Sequence, residues 1–170
     1  MRASRDRRCV DQVEKVRGRR TFRQSPIAAL VRAFMPLECE ELTGSIIGAA
    51  IAVHRELGPG FIESVYGNAL DVEMRHRQIP FVRQLGVPVL YRGVEVGMHR
   101  LDLFVADEIV VELKAVKELA DVHFAVVRSY LRATHNKHGL ILNFAKYTLE
   151  AKRVVALQDP SRGSNDRCGR

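Results

Sequence analysis

The sequence contains no apolar run approaching the ~20 residues that a membrane-spanning helix needs. Its best candidate, Ile27 to Leu37, is short and interrupted by Arg32. No small-residue cleavage site follows it cleanly, so it is a poor secretory leader as well. Cysteine is scarce: Cys9, Cys39 and Cys168 are far apart, odd in number and without metal-ligand spacing. That argues against a disulfide framework and makes a reducing cytoplasm the expected setting. Internal repeats and low-complexity tracts are missing. Gly58-Pro59-Gly60 is not followed by Lys-Ser/Thr and so is a helix break, not a phosphate loop. His135 and His138 have no nearby cysteine or third ligand, and His54 and His123 are isolated on helices, so no zinc site is expected.

What is present is an ordinary globular composition, 46% hydrophobic and 28% charged over 170 residues, enough for one domain with a real core. The net charge of +7 is unevenly spread. Residues 1–36 carry ten Lys/Arg against three Asp/Glu, and residues 159–170 carry three against two. Residues 37–158 carry 14 against 15 and are close to neutral. The excess therefore lies in an N-terminal arm without sustained periodicity, expected to be disordered and able to hold phosphates without sequence preference. The stretch 159–170, rich in Pro, Gly, Ser and Asn, reads as a disordered tail. A well-patterned domain begins just after Met35, which suggests Met35 as the natural start.

Within 37–158, Leu42, Ile46, Ile47, Ala50, Val53, His54 and Leu57 recur at helical spacing and stop at Gly58-Pro59. A second helix is expected from near Phe61 to about Arg77, with Ile62, Val65, Tyr66, Ala69 and Val72 as its apolar stripe. Alternation from Val87 to Tyr91, a turn at Arg92-Gly93, and Val94 and Val96 beyond it mark strands. Met98 to Val105 and Ile109 to Val116 follow, joined through Ala106-Asp107-Glu108. A third helix over about Asp121 to Thr134, with Asp121 as N-cap, precedes strands at Gly139 to Phe144 and Ala151 to Leu157. This order implies an α/β sandwich, a mixed central sheet flanked by helices.

The chemistry-bearing residues lie between Arg100 and Lys114. Alternation puts Asp102 on one strand face with Arg100 and Phe104, and Glu112 with Lys114 on one face of the next strand. A three-residue loop would set Val105 against Ile109 and Asp102 against Glu112; a two-residue loop would send Glu112 to the other side. Two facing carboxylates repel unless a cation lies between them, and their hard oxygens suit Mg²⁺. Lys114 could orient a water or stabilise a developing phosphorane charge. The pattern D-x₉-E-x-K is loose, and a hairpin with a solvated polar face explains it without any site.

Several blocks, in order, resemble the GxxExxY family of the PD-(D/E)XK nuclease superfamily. They are Ile46-Ile47-Gly48-Ala49-Ala50, Glu56-Leu57-Gly58-Pro59-Gly60-Phe61, the naming triplet Gly60, Glu63 and Tyr66, Arg100-x-Asp102-Leu103, Val111-Glu112-Leu113-Lys114-Ala115, Tyr130-Leu131, Asn143-Phe144 and Arg153-Val154-Val155. The resemblance spans about residues 42–156. It implies a PD-(D/E)XK nuclease-like fold, with Asp102, Glu112 and Glu63 as metal ligands, Lys114 as catalytic lysine, and Tyr66, Tyr130 and Arg100 in support. It further implies Mg²⁺, or Mn²⁺ in its place, and a nucleic-acid substrate with DNA favoured. One position departs from the pattern: Val126 stands where related exonucleases and many family members carry Gln, four residues before Tyr130. A nuclease-fold module that only binds nucleic acid or a partner protein is the competing expectation.

The arm's lack of period carries a testable consequence. A fragment of residues 35–170 is expected to unfold at the same temperature as the full chain; a drop of many degrees would show that the arm packs on the domain.

Overall fold

The computed structural model describes residues 39–156, so the expectations for the arm, the tail and Met35 lie outside the described residues. Helix α1 spans Cys39–Leu57 and buries Leu42, Ile46, Ala50, Val53 and His54 of the expected line, with Ala49 added and Ile47 and Leu57 half-buried. It stops where expected. Gly58 takes the left-handed conformation, φ 69°, and its N–H donates to His54 O at 2.9 Å.

Helix α2 spans Glu63–His76. Its buried line is Tyr66, Leu70 and Met74, not the expected stripe: Ile62 and Val72 are about two-thirds exposed or more, at 69% and 70%. The rotation is set from outside the helix. Tyr66 stacks on Phe144 with centroids 4.5 Å apart and 17° between planes. Its hydroxyl donates to Gly58 O at 2.7 Å and accepts from Phe61 N–H at 3.2 Å. With Tyr66 so anchored, positions four and eight residues on follow it into the core, and Val72 is carried round to solvent.

Strand β1, Phe81–Tyr91, begins six residues before the expected alternation, and β2 is one unbroken strand, Val94–Val105. They form a hairpin whose two-residue turn, Arg92-Gly93, has φ of 50° and 80°, the paired left-handed geometry that matches strand twist. Strand β3 covers Ile109–Lys114, helix α3 Asp121–Thr134, β4 His138–Asn143 and β5 Glu150–Val155. Among the described residues the five strands form one sheet in the order β1-β2-β3-β4-β5, with β3 and β4 parallel and the other pairs antiparallel. This is the mixed sheet expected. The parallel pair needs a crossover, which α3 supplies.

Helices lie against both faces. On one, a Cβ at Gly67 of α2 would come within 3.4 Å of Leu113 Cδ1. On the other, Val127 and Leu131 of α3 join Phe104, Val110, Ile141 and Val154 in a buried cluster. Alternation along β3 thus turns Leu113 towards α2, and Val110, Glu112 and Lys114 towards α3. Asp121 is the first residue of α3 and not its N-cap. The cap is Ala120, whose N–H donates to His123 Nδ1 at 3.0 Å, so the ring of His123 does what a Glu or Gln does at that position in a capping box.

Gly139 sets how closely α3 approaches. A Cβ there would stand 2.6 Å from Val127 Cγ1. Gly139→Ala is therefore expected to cost about 1–3 kcal/mol through overpacking. Gly44, exposed on α1 with nothing within 4 Å of an added Cβ, should gain about 0.5–1 kcal/mol as Ala. Denaturant unfolding of both variants checks the pair.

Candidate active site

The register of β2 and β3 decides whether Asp102 and Glu112 meet. Val105 pairs with Ile109, Phe104 with Val110 and Leu103 with Val111, the register of the three-residue loop. Ala106 and Asp107 both take left-handed φ, 51° and 60°. The loop is gripped from α3: Asn136, buried beyond the helix end, donates from Nδ2 to Asp107 O at 2.9 Å and to Glu108 O at 3.0 Å.

Continued one step, that register sets Asp102 across from Glu112, but backbone pairing ends at Leu103. The Asp102 carboxylate spans the opening instead, with Oδ2 accepting from Leu113 N–H at 2.9 Å. Gln84, beside it on β1, has φ 51° and is skipped in the β1–β2 ladder; its side chain donates to Asp102 Oδ1 at 3.4 Å.

Glu112 does not lie on a solvated face. It is 6% exposed. Oε1 accepts from Lys114 Nζ at 2.7 Å, while Oε2 is buried with no hydrogen-bond partner among the described residues. Burial pushes the Glu112 carboxyl up to about 7, Asp102 adds to the rise, and the hydrogen bond and charge of Lys114 only partly offset them. Burial by itself would lower Lys114. The bond to Glu112 and the charges of Glu112, Glu63 and Asp102 outweigh it, so the ammonium is held above its ordinary value.

Glu63 arrives from the other layer. As the first residue of α2, it reaches the C-terminal end of β3, where Oε2 lies 3.8 Å from Lys114 Nζ and Oε1 accepts from Ala115 N–H at 3.3 Å. Its charge also suits a helix N-terminus. Tyr66 makes no bond to Glu63; it braces the Gly58–Phe61 loop that leads into the helix, and so acts on Glu63 through the backbone.

Tyr130, on α3, packs its ring against His99 of β2, centroids 4.8 Å apart at 68°. Burial and the charges of Glu112 and Asp102 push its hydroxyl up to about 12. Val126 is half-buried one turn earlier and offers no side-chain hydrogen bond. Arg100 is exposed and makes no ion pair among the described residues.

Asp102, Glu112, Lys114 and Glu63 are thus neighbours, with Tyr130 beside them, whereas Tyr66 and Arg100 stand outside the cluster. The carboxylates nevertheless do not converge as ligands. Among the described residues no three His, Cys, Asp or Glu side chains are grouped to hold an ion. The Lys114 ammonium stands between Glu112 and Glu63, and Asp102 is tied to a backbone N–H. The donor set still fits a hard divalent cation: three carboxylates, one with a buried oxygen that nothing satisfies.

Asn143, in the sequence only one member of the block Asn143-Phe144, has a structural role. It is fully buried and clamps the exit of β3, accepting from Val116 N–H at 3.1 Å and donating to Val116 O at 2.8 Å. A single amide at the end of the apolar run Leu140-Ile141-Leu142 was the available signal.

A family model for the PD-(D/E)XK nuclease superfamily matches residues 40–154, and the chain belongs to that superfamily. Such nucleases generally use divalent metal ions. No match is found among curated proteins. Two solved structures are similar. One is the crystal structure of SSO0001, at 14% identity and TM-score 0.45, covering 80% of this chain and 64% of that one. The other is an alkaline exonuclease (LHK-Exo) from Laribacter hongkongensis, at 10% identity and TM-score 0.42, covering 76% of each chain. This chain thus spans a little under two-thirds of the SSO0001 structure.

The repulsion between Asp102 and Glu112 has a measurable sign. The folded carboxyl of Glu112, at about 7, lies above its ordinary value of 4.5. The raised value costs stability as pH climbs from about 4.5 through 7, and the full cost is present above that. Asp102→Asn removes one cause. It should stabilise the metal-free protein at pH 8 by on the order of 1 kcal/mol, and by progressively less as Glu112 is protonated towards pH 5. Denaturant unfolding across that range, beside a carboxyl NMR titration of Glu112, checks both.

Proposed function

We propose that this domain is a Mg²⁺-dependent nuclease hydrolysing phosphodiester bonds of DNA, with RNA the less favoured substrate, and that GxxExxY is its nearer family. The observation that carries the reading is Glu112. A carboxylate is buried on a sheet face with one oxygen on Lys114 and the other unsatisfied. An unpaired buried acceptor is costly, and such costs are typical of sites built for a ligand.

Asp102, Glu112 and Glu63 would hold the ion, with Mn²⁺ able to replace Mg²⁺. Bound there, it would supply Lewis-acid stabilisation of phosphoryl oxygens and lower the pKa of a coordinated water. Lys114, held protonated by its carboxylate neighbours, stabilises negative charge as water adds to phosphorus and the ester P–O bond breaks. Tyr130 keeps its phenolic proton across the physiological range and so can donate to a phosphate oxygen. Exposed Arg100, on the same strand as Asp102, is available for a further phosphate. A cytoplasmic setting belongs to the same proposal.

Val126 supports a second reading, a weakened nuclease-fold module that binds nucleic acid or a partner protein. Apolar and half-buried beside Tyr130, it cannot make the hydrogen bond that Gln would.

The test is calorimetric Mn²⁺ titration beside cleavage assays on single- and double-stranded DNA and RNA. Asp102→Asn should weaken Mn²⁺ binding. Lys114→Ala should bind Mn²⁺ at least as tightly as the parent, because it frees Glu112 Oε1, yet lose cleavage by orders of magnitude. Metal affinity unchanged in Asp102→Asn would remove the ligand assignment. A parent that binds metal and cuts nothing would favour the second reading, with cleavage regained in Val126→Gln locating the defect.

A further inference from the structure

A cleft of about 480 Å³ opens between the outer half of the β1–β2 hairpin and the last turn of α3. Its two sides differ in chemistry. Pro88, Val89 and Leu90 of β1 and His99 of β2 line the sheet side, and Arg132 and His135 of α3 line the helix side. No carboxylate lines it. Arg132 and His135 are exposed and, among the described residues, their side chains have no ion-pair or hydrogen-bond partner. Arg132 is one of several unpaired cations among the described residues; what sets it apart is its place in a cleft whose lining holds no acid. The cleft is joined to the cluster by one ring contact: His99, in its lining, packs edge-on against Tyr130 at 4.8 Å.

We infer that this cleft seats a single nucleic-acid strand running out from the carboxylate cluster, its phosphates on Arg132 and His135 and its bases against Pro88, Val89 and Leu90. The inference deepens the nuclease reading and rests on it for the choice of a nucleic-acid ligand. Size and wall chemistry select the single strand. The volume falls within the ~300–1,000 Å³ of sites that enclose one small ligand, roughly a nucleotide or two and far short of a duplex. Apolar side chains opposite cationic ones suit a strand whose base faces are open, whereas a duplex buries those faces and presents phosphates on both flanks.

The test uses the full chain with a chelator present, so that no strand is cut, and reads fluorescence anisotropy of a labelled DNA single strand and the matching duplex. The basic arm of residues 1–36 is common to parent and variants, so the differences between them report the cleft. Arg132→Glu should weaken single-strand binding about tenfold or more. Arg132→Gln should lower the slope of log affinity against log salt by about 0.7, one phosphate contact on a single strand. Both should leave Mn²⁺ binding and the unfolding temperature unchanged, because Arg132 is exposed and outside the cluster. Unchanged single-strand affinity in both variants overturns the inference, and so does a duplex that binds as tightly and loses as much. The two readings fail separately. Cleavage by the parent with no effect of Arg132 removes the cleft and leaves the nuclease. Loss of single-strand binding in Arg132→Glu, with no cleavage by the parent under any metal, keeps the cleft and removes the nuclease.

Discussion

Glu112 brings a carboxylate onto a covered face of the sheet, and the 2.7 Å contact with Lys114 is what makes that burial tolerable. Removing an ion from water costs several kcal/mol unless a counter-charge and hydrogen bonds compensate. Here compensation is partial: one oxygen is bonded, one is not, and Asp102 presses the carboxyl further from its ordinary value. The surrounding fold maintains this unfavourable arrangement. Asn143 fixes the chain leaving β3, Tyr66 fixes the loop that delivers Glu63, and Asn136 fixes the loop that puts Asp102 opposite Glu112.

Lys114 has two roles under the proposed function. Without metal it is the counter-charge that lets Glu112, Glu63 and Asp102 coexist. With substrate it is the cation nearest the developing phosphoryl charge. Both follow from one placement, two residues along β3 from Glu112 at the strand's open end, where α2 from one layer and α3 from the other come within reach.

Polar groups at loop ends do much of this positioning. Asn136 and Asn143 are buried amides that spend their hydrogen bonds on backbone, and each holds a segment carrying a charged residue of the cluster. His54 is similar: buried on α1, its Nε2–H donates to Lys146 O at 2.8 Å and ties the first helix to the β4–β5 loop. Satisfied buried polar groups of this kind specify one arrangement, because any shift leaves a donor or acceptor unpaired.

The local features of this protein were legible from residue order alone. Gly58 ended α1 and Arg92-Gly93 made the hairpin turn, because few residues accept left-handed φ. Glu112 and Lys114 shared a face because strand side chains alternate with period two. The mixed sheet followed from the order of helices and strands. Tertiary structure decided what alternation leaves free. A two- or three-residue loop was equally open until Asn136, some thirty residues on, gripped Asp107 and Glu108. The face of α2 turned to the core was set by Tyr66 meeting Phe144, and the expected stripe through Val72 was lost. Whether the polar face of β3 formed a site or stood in solvent was open in the sequence, and the fold buries Glu112 there. Backbone geometry acts over neighbouring residues and can be read in order; register, helix rotation and burial depend on side chains from distant segments meeting, and only the folded chain brings those together.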